Sequence, residues 1–229
     1  DFGMAETLAY AGLLDDGISV RLSGEDAGRG TFSHRHAAWH NMNRRQRSEG
    51  IYIPLKNAQN KSWFGVYDSI LNEEGVLGFE YGYSLENIHN LTIWEGQFGD
   101  FANGAQVMID QFIISGEAKW GSLSRLTMIL PHGFDGQGPE HSSARIERFL
   151  QLAAENNIIA VIPSTAAQMF HLIRRQAKSN YAKPLMIFLS KRLLRFKDAM
   201  SDVSELTNGV FLPLIADTTA ATSAKRVIV

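Results

Sequence analysis

The sequence predicts an α/β domain: a doubly wound, mostly parallel open sheet with helices on both faces. Three observations lead there. Helix-like and strand-like apolar runs alternate from one end of the chain to the other, which implies parallel strands joined by crossover helices. The glycine-rich stretches fall where a strand gives way to a helix. And 229 residues, 45% of them hydrophobic, suffice for one well-buried core but not for two large separate ones.

The elements follow in order. Met4 to Leu14 has apolar residues at helical spacing and stops at Asp15-Asp16-Gly17. Ile18 to Leu22 reads as a strand, and Ser23 to Gly30 as a loop with Glu25 and Asp26 at its centre. Within Asn72 to Ser84, Val76, Leu77, Phe79 and Tyr83 recur at roughly helical spacing, which puts Glu73 and Glu74 in a first turn, where carboxylates are ordinary partners of the helix dipole. Leu91 to Trp94 is a strand and Glu95 to Asp100 a loop. Phe101 to Phe112 is an apolar helix that exits through Ser115 to Gly121. Leu126 to Leu130 (strand), Ala144 to Ala154 (helix), Ile158 to Ile162 (strand), Thr165 to Gln176 (amphipathic helix) and Leu185 to Leu189 (strand) complete the alternation, and Asn208-Gly209 marks a turn in the tail.

Composition removes several function classes. The formal charge of −2 gives no chain-wide basic field for nucleic acid or anionic membrane, and no apolar run reaches the ~20 residues of a membrane span. With no cysteine, disulfides, thiolate nucleophiles and cysteine-ligated metals are excluded. Two Asn-x-Ser/Thr triplets, at Asn60 and Asn90, carry no weight without a secretory signal. The chain opens on Asp1 and closes on the strand-like Lys225 to Val229, so it is expected to be a segment of a longer polypeptide.

The stretch Leu130 to Arg145 (LPHGFDGQGPEHSSAR) joins a strand to a helix and holds two of the seven histidines, His132 and His141. Loops at the carboxyl ends of such strands hold ligands in open α/β sheets, so both histidines sit where chemistry is expected. Gly133, Gly136 and Gly138 free the backbone, and Pro139 stiffens its last step; the spacing is not that of a dinucleotide loop. His34 and His36 would share a face if extended, with His40 beyond, but zinc needs three or four ligands and a polar network is the stronger reading. The Asn43 to Gly50 loop reads as solvated surface, and on spacing alone Phe98 and Phe101 read as core.

The motifs go further. SGEDAGRGTFSHRHA, NEEGVLGFEYGY, WEGQFGDFANGAQVMIDQF, LPHGFDGQGPEHSSARIERFLQL and the Arg174-Arg175-Gln176 triplet together resemble the pyrimidine-binding domain of the first, decarboxylating component of the 2-oxoglutarate dehydrogenases. These belong to the thiamine-diphosphate enzymes related to transketolase, and the likeness covers nearly the whole chain in motif order. It implies a transketolase-type domain over residues 1–200, with 201–229 a connector and the start of a C-terminal domain.

It also implies roles. Glu73 matches the glutamate that hydrogen-bonds the cofactor's aminopyrimidine and favours the imino tautomer, whose nitrogen deprotonates the thiazolium. Phe101 matches the aromatic stacked on that ring, with Phe98 lining the pocket. His132 matches the histidine that faces the reacting carbon and helps move protons, and His141 a supporting residue. The cofactors implied are thiamine diphosphate and Mg2+, the latter with ligands outside this segment. The partners implied are a second copy in a homodimer, a 2-oxo acid substrate and the lipoyl domain of the dihydrolipoyl succinyltransferase. The compartment is the cytoplasm for a bacterial parent or the mitochondrial matrix for a eukaryotic one. Ser190-Lys191-Arg192 and Phe196-Lys197 depart from the family's Ser-Pro-Lys and His-Pro, so a substrate role for Lys191 does not carry over. Neighbouring readings are a 2-oxoadipate dehydrogenase, a 2-oxoglutarate decarboxylase, a non-catalytic α/β interaction domain and, last, a metal hydrolase built on His34, His36 and His40.

Overall fold

Asp1 caps the first helix. Its carboxylate accepts from the Met4 N–H at 2.9 Å, and Phe2–Asp15 (α1) follows until Gly17, at φ +83°, turns the chain away. The computed structural model describes residues 1–43, 45–46, 49–58 and 61–216. The strands are β1 (Val20–Gly24), β2 (Trp39–His40), β3 (Ile51–Tyr52), β4 (Phe64–Asp68), β5 (Leu91–Glu95), β6 (Thr127–His132), β7 (Ile159–Val161) and β8 (Leu185–Ser190). The remaining helices are α2 (Pro54–Asn57), α3 (Glu73–Glu86), α4 (Gln106–Met108), α5 (Gly116–Trp120), α6 (Ile146–Leu152), α7 (Ala166–Lys178) and α8 (Val203–Asn208).

Six strands form one sheet in the order β4-β1-β5-β6-β8-β7, every pair parallel, while β2 and β3 make a separate antiparallel ladder. Alternate residues of the central strands enter opposite cores, as a period of two requires. Leu22, Ile93, Ile129 and Ile187 pack under α1 and α7. Trp94, Met128, Leu130, Met186 and Phe188 pack under α3, α6 and the helical stretch that contains Ile109. Both faces are therefore covered, which explains why these strands read as unbroken apolar runs. The doubly wound α/β expectation holds.

Several element expectations need correction. The sequence reading left 51–71 without a strand, yet β4 pairs with β1 from Val20↔Phe64 to Gly24↔Asp68. It is an edge strand, buried only at Phe64 and Gly65, so no two-sided apolar run announces it. β6 runs on through Pro131 and His132, paired with Leu189 and Ser190, so the central loop starts at Gly133 and His132 ends a strand. Proline fits there because pairing with β5 ends at Ile129, leaving no acceptor on that side for the missing N–H.

The helix expected over Phe101 to Phe112 is instead a 3-10 turn over Gly99–Ala105, the short α4, and a π turn over Ile109–Ile113. Ala105 breaks regularity at φ −114°, ψ 20°, and Asp100 and Asn103 turn their side chains to Ser143 N–H and Arg148. The helix expected over Ala144 to Ala154 shortens to α6, because Asn157 bonds Ala154 N–H and Leu152 C=O in place of a further turn. His36 has φ +49°, so His34 and His36 do not share an extended face.

Beyond residue 200 the chain docks on α7: the Gln168 amide bonds Val210 C=O and Leu212 N–H, and α8 ends at Asn208-Gly209, where a turn was expected. Lys225 to Val229, Asn60, and Arg44, Arg47 and Ser48 of the 43–50 loop lie outside the described residues. Among the described residues no helix is long and apolar enough to cross a membrane.

Candidate functional site

The candidate residues gather at the carboxyl ends of β5 and β6, beside the start of α3. Asn72 caps α3 by accepting the Gly75 N–H at 2.8 Å, which makes Glu73 its first residue. Glu73 is half-buried and Glu74 exposed. The Glu73 side chain borders Gly104: a Cβ added there would lie 3.5 Å from Glu73 Oε2. Gly104 belongs to the same 3-10 turn as Phe101, so the carboxylate and that ring are brought to one place by two elements far apart in sequence.

Phe98, Phe101 and His141 form an aromatic wall. Ring centroids lie 4.7 Å apart for Phe98 and His141, 5.4 Å for Phe101 and His141, and 5.9 Å for the two phenylalanines, all edge to face. All three are half-buried, and Phe32 closes the far side of Phe98 at 5.6 Å. Lys191 bonds the His141 carbonyl at 2.7 Å and lies 5.6 Å from the Phe98 ring, so it braces this wall. Phe98 is thus not core, as spacing alone had read it, and the same holds for Phe101.

His132 ends β6, half-buried, and its Nδ1 accepts the Ala144 N–H at 3.1 Å. That bond assigns the neutral ring its proton on Nε2. Burial lowers its pKa; Asp100 pulls it back up and Lys191 pushes it further down, with the balance below the ordinary histidine value. Asp100, which the sequence reading placed only at the end of a loop, is buried beside it. The signal that would have found it is the adjacent Gly99, which only close packing on another backbone explains.

A second polar cluster surrounds His34, for which the sequence reading favoured a polar network, but Glu6, Arg35 and Glu95 were not foreseen as its members. Arg35 donates to Glu6 Oε1 at 2.6 Å, to both oxygens of Glu95 at 2.7 and 2.8 Å, and to Ala27 C=O at 2.9 Å. Tyr10 donates to Glu6 at 2.8 Å. Burial raises the Glu6 pKa, but Arg35, His34 and Tyr10 outweigh it and hold the carboxyl below its usual range. The His34 ring lies 3.8 Å from both Glu6 and Glu95, with burial and Arg35 lowering its pKa. The loop carboxylate Asp26 bonds Arg29 and Gln97, tying the loop after β1 to the loop that carries Phe98. Among the described residues no three His, Asp or Glu side chains are placed to hold a metal, and the His34, His36, His40 pattern does not converge.

Residues 1–197 match the family described as transketolase, pyrimidine binding domain. The chain belongs to that family. The chain is 57% identical over 231 residues to a 2-oxoglutarate dehydrogenase E1 component of Cupriavidus necator, covering 100% of this chain and 24% of the relative. It is 57% identical over 219 residues to that of Haemophilus influenzae, covering 95% and 23%, and 56% identical over 218 residues to that of Azotobacter vinelandii, covering 95% and 23%. The chain spans about a quarter of the length of these relatives.

The residues fit the pyrimidine half of thiamine diphosphate. A half-buried carboxylate stands beside the turn that presents a half-buried phenyl ring, the pairing that a planar heterocycle with ring nitrogens and an amino group would use.

Proposed function

We propose that this pyrimidine-binding domain is the part of a 2-oxoglutarate dehydrogenase that binds and activates the aminopyrimidine of thiamine diphosphate. The full polypeptide would carry out oxidative decarboxylation of 2-oxoglutarate, in the tricarboxylic acid cycle, and transfer succinyl to lipoyl groups. The observation that carries the reading is Glu73 standing against the turn that supplies Phe101. The choice of substrate rests on relatives that bear the name of that enzyme.

Glu73 would hold the pyrimidine ring through its carboxylate and take up or return a proton at Oε, and Phe101 and Phe98 would supply the apolar surface for the ring. His132, a neutral Nε2–H donor, meets the 2-oxo acid, and His141 supports the aromatic wall. Bound thiamine diphosphate supplies the nucleophilic carbon that makes loss of carbon dioxide feasible. The diphosphate and Mg2+ are assigned to another part of the polypeptide, supplied by the second subunit of a homodimer. The lipoyl domain of the dihydrolipoyl succinyltransferase takes the product. Residues 201–229 are assigned to the connector toward the next domain, and the compartment to the cytoplasm of a bacterial cell, or to the mitochondrial matrix in a eukaryote.

The test is carbon dioxide release by the full-length enzyme from 2-oxoglutarate, 2-oxoadipate and pyruvate, with and without thiamine diphosphate and Mg2+. Cofactor-dependent release from 2-oxoglutarate is expected. Preference for 2-oxoadipate would change the substrate alone, and no release from any would return a non-catalytic role. The isolated 229 residues should be inactive, and turnover by them would overturn the assignment of the diphosphate site.

A further inference from the structure

Three successive backbone N–H groups just before α6 go to three different acceptors. Ser143 N–H bonds Asp100 Oδ2 at 3.2 Å, Ala144 N–H bonds His132 Nδ1 at 3.1 Å, and Arg145 N–H bonds Ser143 Oγ at 3.0 Å. Arg145 then sits at φ +54°, a conformation that a side-chain-bearing residue keeps only where its surroundings over-determine it. Gly99 brings Asp100 to this turn: a Cβ on Gly99 would lie 2.4 Å from Ala144 Cβ and 2.6 Å from Pro131 O. No other residue fits there without displacing backbone.

Asp100 is 8% exposed, and its second oxygen, Oδ1, is buried with no hydrogen-bond partner among the described residues. A buried carboxylate with a vacant acceptor is costly to keep, and the core contains cheaper ways to anchor a turn.

We propose that Asp100 is a positioning residue for His132: it holds the Ser142–Ser143 peptide through Ser143 N–H so that the next N–H, that of Ala144, occupies His132 Nδ1, which leaves Nε2 as the ring's donor. This rests on the reading of His132 as the histidine that meets substrate. Asp100 also sets the charge around the ring. The groups that face His132 are Asp100 from the 3-10 turn, Glu147 from α6 and Asp135 from its own loop, all favouring the charged ring, with Lys191 after β8 opposing it. Asp100 is foremost among them, so removing its charge lowers the His132 pKa.

The experiment is ethoxycarbonylation of the full-length apoenzyme with diethyl pyrocarbonate across pH, with the His132 peptide followed by mass spectrometry. In the parent the reaction is slow, because one ring nitrogen is occupied and the other protonated. Asp100→Asn keeps an acceptor for Ser143 N–H but loses the charge, so the midpoint of the pH dependence should fall by about half a unit or more. Asp100→Ala frees the turn, and the plateau rate should rise about fivefold, the factor that goes with losing one neutral hydrogen bond. An unchanged or higher midpoint in Asp100→Asn overturns the proposal, as does an unchanged rate in folded Asp100→Ala; if Asp100→Ala does not fold, the Asp100→Asn midpoint decides alone. Turnover by His132→Ala is measured in parallel. Near-parental turnover there, with a shifted Asp100→Asn midpoint, would sink the substrate role of His132 and leave its positioning by Asp100 intact.

Discussion

Glu95 and His132 close neighbouring strands of one sheet, β5 and β6, and their surroundings are opposites. Glu95 is buried with both oxygens held by Arg35, which in turn holds Glu6 and a carbonyl, so every nitrogen of the buried guanidinium has an acceptor. His132 is half-exposed, with one ring nitrogen bonded to a backbone amide and a neighbouring carboxylate oxygen left unpaired. The lesson is that polar residues at one end of a sheet divide by saturation. A closed network can only fix the loops, whereas a titratable group held on one side and open on the other can exchange a proton.

The comparison breaks first at Glu73. Glu73→Gln in the full-length enzyme should lower turnover about 10²- to 10⁴-fold, the usual worth of a positioned proton-transfer group, with the melting temperature unchanged. A mild loss would mean that Glu73 belongs with the structural carboxylates. At the closed cluster, Arg35→Met strands two buried carboxylates and should cost about 3–5 kcal/mol in denaturant unfolding. Parental stability in that variant would show that the network does not hold the loops.

Between the histidines the contrast sharpens. His132→Ala should reduce turnover about 10²-fold and His141→Ala by less, since His141 only packs in the aromatic wall; steady-state kinetics showing the reverse order would exchange their roles.

The smallest effect is on acid stability. The folded Glu6 pKa lies below the unfolded value of 4.5. Its contribution is therefore complete above that value and is lost as pH falls through the folded pKa. The denaturant midpoint should drop as pH falls below 4.5, and Glu6→Gln should flatten that slope. An unchanged slope would place the acid sensitivity elsewhere.

Much of this was legible in the residues. Leu126 to Leu130 and Leu185 to Leu189 announced central parallel strands because both of their faces are buried. Glu73 was placed in a first turn by the apolar period after it, and Asn72 proved to be the cap. β4 was hidden because an edge strand buried at one end has no continuous apolar pattern. The irregular helix after Phe98 was hidden because its geometry is set by Asp100 and Asn103 reaching to Ser143 and Arg148, contacts that no local spacing encodes. Arg35, between His34 and His36, was passed over, since nothing in that stretch shows that Glu6 and Glu95 are waiting for it.

The alternation of strand and helix, the strand-to-helix stretches that would hold a site, and the residue types able to do its chemistry are all present in the chain before it folds. These follow from local periodicity and turn chemistry, which act between residues a few positions apart. Folding adds that Glu73 meets the Phe101 turn, that Phe98 and His141 share a wall, that His132 keeps its proton on Nε2, and that Asp100 stands behind it. Those are contacts between the ends of different strands, fixed when parallel pairing and two-sided packing bring remote loops to one edge of the sheet.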